Sequence, residues 1–219
     1  MEKTRTVGRT DTRKLVRMAL LTGIIFLLSF TPLGYVTLGP IAATTIQMPV
    51  IIGAILMGPA AGAVLGGFFG LSAIIKVLTM PGADAFATAA LTYSPAAYLF
   101  ICMVPRILMG WLAGWLNRGL EHIPFFKGNG SIVGYGITGF VGSLLNTVLY
   151  LGSLWLLVAP VVAQVYAGGD MALVSSIVIG TATGAGIPEA IVSCVVVAVV
   201  SRALKVFDRS PANACQHSA

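Results

Sequence analysis

Charge is what this sequence has least of. Only 9% of its 219 residues are Asp, Glu, Lys or Arg, against about 25% in an ordinary soluble domain. A soluble chain of this length needs far more charge to cover its surface, so a soluble fold is excluded. Histidine is scarce too: His122 and His217 are the only two, and both fall outside the apolar runs. With no H-E-x-x-H the chain is not a zinc peptidase. Ser72, in "GLSA", has no base within the apolar runs to activate it, which argues against serine hydrolysis in the bilayer. The pattern G-x-x-x-x-G-K-[ST] is missing, so the chain cannot cradle ATP phosphates by itself, and any ATPase driving it is another polypeptide. The three cysteines, Cys102, Cys194 and Cys215, share no C-x-x-C spacing. Two of them lie inside apolar runs and read as small hydrophobes, not as a disulfide or metal framework. No enzyme activity, metal or cofactor is expected.

What is present is grease. Hydrophobic residues make up 57% of the chain, and the mean hydropathy is +0.95. Long apolar runs recur from Leu15 to Lys205, so nearly all of the chain must lie in lipid. The net charge of +6 does not point to nucleic acid, because of where the basic residues sit. Lys3, Arg5, Arg9, Arg13, Lys14 and Arg17 crowd the start, Arg118 and Lys127 a middle loop, and Arg202, Lys205 and Arg209 the end. Basic clusters flanking apolar spans set membrane orientation, with the basic side in the cytoplasm. The start resembles a signal peptide, but no small-x-small cleavage site closes it, so it reads as a retained first helix.

A helix crossing the hydrocarbon needs about 20 mostly apolar residues. Leu15 to about Leu33 makes a first span, ended by Pro32 and Gly34. Ser94 to Leu116 makes another, Ser131 to Val158 a long one, and the region after Gly186 the last. Thr45 to Leu78 is either one overlong span or two short ones hinged at "GPAAG", Gly58 to Gly62. A single span would place Arg118 and Lys127 across the membrane from the basic N-terminus, so two helices are expected. Counting Val161 to Gly180 as a span would export Arg202, Lys205 and Arg209. That region therefore reads as an extracytoplasmic loop with its own helical piece, Met171 to Ile179. The expectation is an all-α membrane protein of six helices with both termini cytoplasmic. Residues 1–14 form a basic N-terminus, 15–207 one six-helix membrane domain, and 208–219 a cytoplasmic tail.

Three longer outer connections, Thr31 to Thr45, Leu78 to Ser94 and Ala159 to Gly186, are rich in Gly, Pro, Thr and Ala. They are either plain connections or a lid over an outward pocket. Ionisable groups inside the membrane are costly, about 2.5–3.5 kcal/mol each on lenient scales, and two stand out. Glu189 follows Gly186 and Pro188, a pattern that marks a helix start with a carboxylate in the first turn. The sharper reading has Glu189 lining a watery pocket and accepting hydrogen bonds from a ligand. Arg106, midway along its span, either pairs with Glu189 or backbone carbonyls or receives a substrate carboxylate. Asn146 is interhelical glue or a ligand contact, and Tyr35 and Tyr93 are interface aromatics or close over a ligand. Gly62, Gly66 and Gly70, with Gly110 and Gly114, let helix backbones approach within the chain. Ala19 and Gly23 make a similar groove on the first helix, open to a partner helix.

"ALLTGIIFLLSFTPLGY", "ATTIQMPVIIGAILMGPAAGAVLGGFFGL", "GSLLNTVLYLGSLWLL" and "GIPEAIVSCVVVAVVSRALK" together resemble the substrate-binding S components of energy-coupling factor vitamin transporters. The likeness runs from about Leu15 to Lys205. It implies six helices that bind a vitamin in a pocket open to the outside, beneath loops one, three and five. It also implies docking on a transmembrane coupling subunit driven by two ATPase subunits, in a prokaryotic plasma membrane. The family docks through A-x-x-x-A on its first helix, and Ala19 and Gly23 occupy the matching positions. "TPLGY" and "GSLLNT" are most similar to the pantothenate-type group, with riboflavin and folate relatives next. The alternative is a stand-alone secondary carrier or channel in which Arg106 and Glu189 relay protons or ions.

Overall fold

The structure, a computed structural model, describes residues 9–31, 34–38, 41–80, 85–126, 131–166 and 170–208. Expectations resting on Lys3, Arg5, Pro32, Lys127, Arg209, Cys215 and His217 lie outside the described residues. The chain runs α1 (Arg9–Ser29), β1 (Tyr35–Leu38), β2 (Ile41–Thr44), α2 (Gln47–Met57), α3 (Pro59–Thr79), α4 (Ala85–Tyr93) and α5 (Pro95–His122). It continues with a short 3₁₀ turn (Pro124–Phe126), α6 (Ser131–Tyr166), α7 (Met171–Thr181), a π-helical turn (Ala182–Gly186) and α8 (Ile187–Asp208).

Among the described residues, four helical stretches are long and apolar enough to cross a membrane: Pro59–Thr79, Pro95–His122, Ser131–Pro160 and Met171–Phe207. The chain is a multi-pass membrane protein. Its flanks expose Leu27, Trp115, Val148, Leu156 and Val195, as a lipid-facing surface requires. The first helix starts earlier than expected and ends at Ser29, because the residue before a proline avoids the α region and Pro32 follows Thr31. Carbonyls at that end are taken up by Phe30 N–H on Phe26 and Thr31 N–H on Leu28.

Thr45 to Leu78 divides in two, as the charge argument required. The hinge is Gly58, whose φ of 95° costs glycine little and other residues much, and Pro59 opens α3 where its missing N–H does no harm. At 11 residues α2 is short, roughly 16 Å of helix. Every residue from Gln47 to Ile55 is buried, so α2 is the apolar pillar around which the other helices stand. Ile51, Val50, Leu65, Phe69 and Met109 form the core about it. A second core, with Tyr98, Leu154, Val158 and Val174, joins the far ends of α5, α6 and α7.

The glycines of α3 and α5 meet as an antiparallel seam. A β-carbon on Gly62 would collide with the carbonyl of Gly110, one on Gly66 with that of Arg106, and one on Gly70 with that of Cys102. Lipid tails are as apolar as leucine, so such close backbone contact, not hydrophobic exclusion, holds the pair.

The membrane bundle is all helical, as expected, and the first long connection adds a short hairpin pairing Tyr35 with Thr44 and Leu38 with Ile41. Two expectations are corrected. The helix begun at Ser131 does not stop at Val158 but passes through Pro160 to Tyr166. One proline removes a single hydrogen bond, which a long membrane helix tolerates. The region Ala159 to Gly186 is mostly helix, not loop, and α8 does not begin afresh near Pro188. "ATGAG" winds as a π turn that carries α7 into α8. Thr181 and Thr183 donate to the carbonyls of Ile177 (2.8 Å) and Ile179 (2.9 Å), which steadies the widened turn ahead of Pro188. The expected piece Met171 to Ile179 is present as α7.

Candidate functional site

Basic residues gather at one end of the bundle, where α5 ends, α6 begins and α8 ends. Lys205 Nζ lies 2.6 Å from Glu121, Arg202 donates to Ser131 at 2.7 Å, and Arg118 reaches the Gly58 hinge. Polar groups gather at the other half, where β2, α2, α6 and α8 converge.

Gln47 is the first residue of α2 and is fully buried. Its Nε2 donates to the Ser143 hydroxyl of α6 at 2.6 Å. Asn146 stands three residues further along the same face of α6 and is 8% exposed. The side-chain oxygens of both amides are buried and, among the described residues, have no hydrogen-bond partner. From the hairpin, Thr44 Oγ1 reaches Glu189 Oε1 on α8 at 3.4 Å. Gly186 packs against Thr147, which sets α8 beside the Asn146 turn of α6. The corner thus holds three acceptor-bearing side chains, two of them with an unanswered oxygen.

Arg106 belongs to a neighbouring layer. Pro105 has no N–H, so the carbonyl of Ile101 loses its helical donor. Arg106 Nη1 supplies one, at 3.2 Å, and also binds the carbonyl of Cys102 at 2.8 Å. The guanidinium lies between the rings of Phe69 and Tyr150, 4.7 and 4.8 Å from their centres. Tyr150 is one helical turn from Asn146. Of the two pairings considered for Arg106, backbone carbonyls are observed, while Glu189 faces Thr44.

The remaining sequence candidates are scattered. The backbone of Tyr35 sits opposite Thr44 in the hairpin, next to the corner. Tyr93 ends α4 with 62% of its surface exposed. Ala19 and Gly23 lie on the exposed side of α1, and a β-carbon on Gly23 would meet nothing within 4 Å. Among the described residues no three His, Cys, Asp or Glu side chains gather to hold a metal.

Sequence reasoning passed over Gln47, Ser143 and Thr44. Gln47 had a usable signal: a lone amide in "TIQMPVII" is as conspicuous in an apolar stretch as Asn146 in "SLLNTVL". Thr44 had none, since its role depends on the hairpin folding back to α8.

Against known proteins, residues 13–201 match the family described as "ECF transporter, substrate-specific component". The pantothenate transporter PanT of Leuconostoc mesenteroides is 33% identical over 149 residues, 65% of this chain and 68% of that protein. The pantothenic acid transporter PanT of Lactococcus lactis is 34% identical over 125 residues, 53% of this chain and 58% of that protein.

Proposed function

Because the chain belongs to the family of substrate-specific components of ECF transporters, we propose that it is the vitamin-capturing subunit of an ATP-driven importer, with pantothenate as its cargo. The observation that carries this reading is the corner of buried Gln47 and Asn146 with half-buried Glu189, and the guanidinium of Arg106 on α5 against Tyr150, one turn from Asn146 along α6. Pantothenate has hydroxyls and an amide N–H at one end and a carboxylate at the other. Acceptor oxygens suit the first end and a guanidinium suits the second. The names of the two relatives support the same vitamin; riboflavin and folate come next.

In this reading the chain crosses the membrane six times, through α1, α2, α3, α5, α6 and α8. The basic ends of α5 and α8 face the cytoplasm with both termini. The polar corner then opens outward, beneath the hairpin, α4 and α7, with Tyr35 and Tyr93 in the covering connections. The exposed groove of Ala19 and Gly23 docks a coupling subunit that carries two ATPases. A stand-alone carrier relaying protons between Arg106 and Glu189 is less well supported, since Arg106 serves its own helix and Glu189 meets Thr44.

The test is calorimetry on the detergent-solubilised chain with pantothenate, riboflavin, folate, thiamine and biotin, without ATP. Nanomolar binding of pantothenate is expected, equivalent to about 12 kcal/mol. Mass spectrometry of the copurifying small molecule checks the same point. No binding of any of the five would remove the proposal.

A further inference from the structure

Gln47 is held more tightly than any other polar group of the corner. Its side chain is fully buried, the residues after it are buried through Ile55, and its Nε2 is fixed by Ser143 at 2.6 Å. It cannot swing away to find another partner. Its Oε1 is nevertheless unanswered, as is Oδ1 of Asn146 one turn along α6. A buried carbonyl oxygen without a donor is destabilising, and an amide oxygen accepts hydrogen bonds but gives none. Two such oxygens beside a carboxylate suit a ligand part that brings donors: hydroxyls or an amide N–H. They disfavour carboxylates and ketones, which bring only more acceptors.

We propose that Gln47, oriented by Ser143 and joined by Asn146, is the specificity residue of the site, reading a hydroxyl on the ligand through Oε1. This rests on the vitamin-binding reading above and adds to it which end of the ligand faces α2. The hydroxylated end lies against α2 and α6, and the anionic end points away from Glu189 towards Arg106. Selectivity follows from the fixed oxygen. A ligand lacking the hydroxyl leaves Oε1 buried and unpaired, whereas one carrying it removes that penalty. Ser143 is a positioning residue that acts through Gln47.

The experiment compares pantothenate with the two analogues in which one or the other hydroxyl is replaced by hydrogen. Each is titrated into the wild type and into Gln47→Met, Asn146→Leu and Ser143→Ala. Met keeps the length and volume of Gln47 without its polar atoms. In the wild type at least one analogue should bind about tenfold or more weakly than pantothenate, one lost hydrogen bond's worth. In Gln47→Met pantothenate should weaken by about tenfold while that analogue is unchanged, so the ratio collapses towards one. Ser143→Ala should lower the ratio partway. A merely structural loss would weaken all three ligands alike and leave the ratio intact, and that result overturns the inference. Should Gln47→Met not fold, a retained ratio in both Asn146→Leu and Ser143→Ala overturns it equally. Wild type that binds no pantothenate at all refutes pantothenate as the cargo, and the inference with it. Wild type that binds all three ligands equally refutes the inference alone.

Discussion

The seam between α3 and α5 offers a quantitative test of how this bundle holds together. Replacing Gly62 by Ala adds one methyl group, and its β-carbon would fall on the carbonyl oxygen of Gly110 and crowd Ala54. Gly66→Ala places the same group on the carbonyl of Arg106. Backbone atoms cannot rotate out of the way as a side chain can, so the two helices must part. A gap of about 0.5–1 Å forfeits a quarter to a half of each van der Waals contact along the seam. Overpacking of this kind typically costs about 1–3 kcal/mol. Against it stands the gain of about 1 kcal/mol in helix propensity when Ala replaces Gly. The net loss for each substitution is therefore about 0–2 kcal/mol against the wild type, and about 1–3 kcal/mol against a glycine-to-alanine change that meets no collision. Gly23 is the control. The same methyl there meets open space, so Gly23→Ala gains propensity with no collision and should be neutral or slightly stabilising. Thermal unfolding of the full chain in one detergent, followed by circular dichroism, measures all three. If Gly62→Ala and Gly66→Ala melt no lower than Gly23→Ala, close backbone packing is not what joins α3 to α5.

Three further outcomes are expected. Ala19→Trp and Gly23→Trp should leave ligand binding intact yet abolish uptake by the complete transporter, because a ring fills the exposed groove of α1; normal uptake by both would place docking elsewhere. Glu189→Gln keeps a carbonyl acceptor for Thr44 and should weaken ligand binding by about 1–2 kcal/mol, with Glu189→Ala weaker still. Equal calorimetric affinities for the three proteins would take Glu189 out of the site. Glu121→Ala removes the partner of Lys205 at the basic end, 2.6 Å away. Since Glu121 is 44% exposed, stability should fall by about 1 kcal/mol or less and ligand affinity should not change.

What the sequence made legible divides along physical lines. The hinge at Gly58 was readable because glycine followed by proline leaves the chain few other conformations, and because charge placement had already demanded a break there. The glycine seam was readable from its four-residue period alone. The hairpin was not, since "YVTL" and "IAAT" are short β-branched pieces whose pairing depends on where α2 begins. The corner itself was half readable. Asn146 and Glu189 stand out as polar residues in apolar runs, but Gln47 becomes important only when α2 packs on Ser143 of α6.

Glu189 changes meaning most. Gly186 and Pro188 read as a helix start, which by itself would explain a carboxylate in the first turn through the helix dipole. The structure continues α7 through the π turn into α8, with no free helix terminus at Glu189 and hence no full set of unpaired N–H groups for a carboxylate to face. The dipole account therefore loses most of its force. Among the described residues the carboxylate is met by Thr44, through its backbone N–H and through its hydroxyl at 3.4 Å, in a segment where an isolated charge costs a few kcal/mol. One threonine does not offset that cost. A π turn inside an α-helix is itself uncommon and concentrates at functional sites, and this one delivers Glu189 to the corner where two amide oxygens also await donors. A ligand bringing several hydroxyl or N–H donors would answer all three groups at once, which Thr44 cannot.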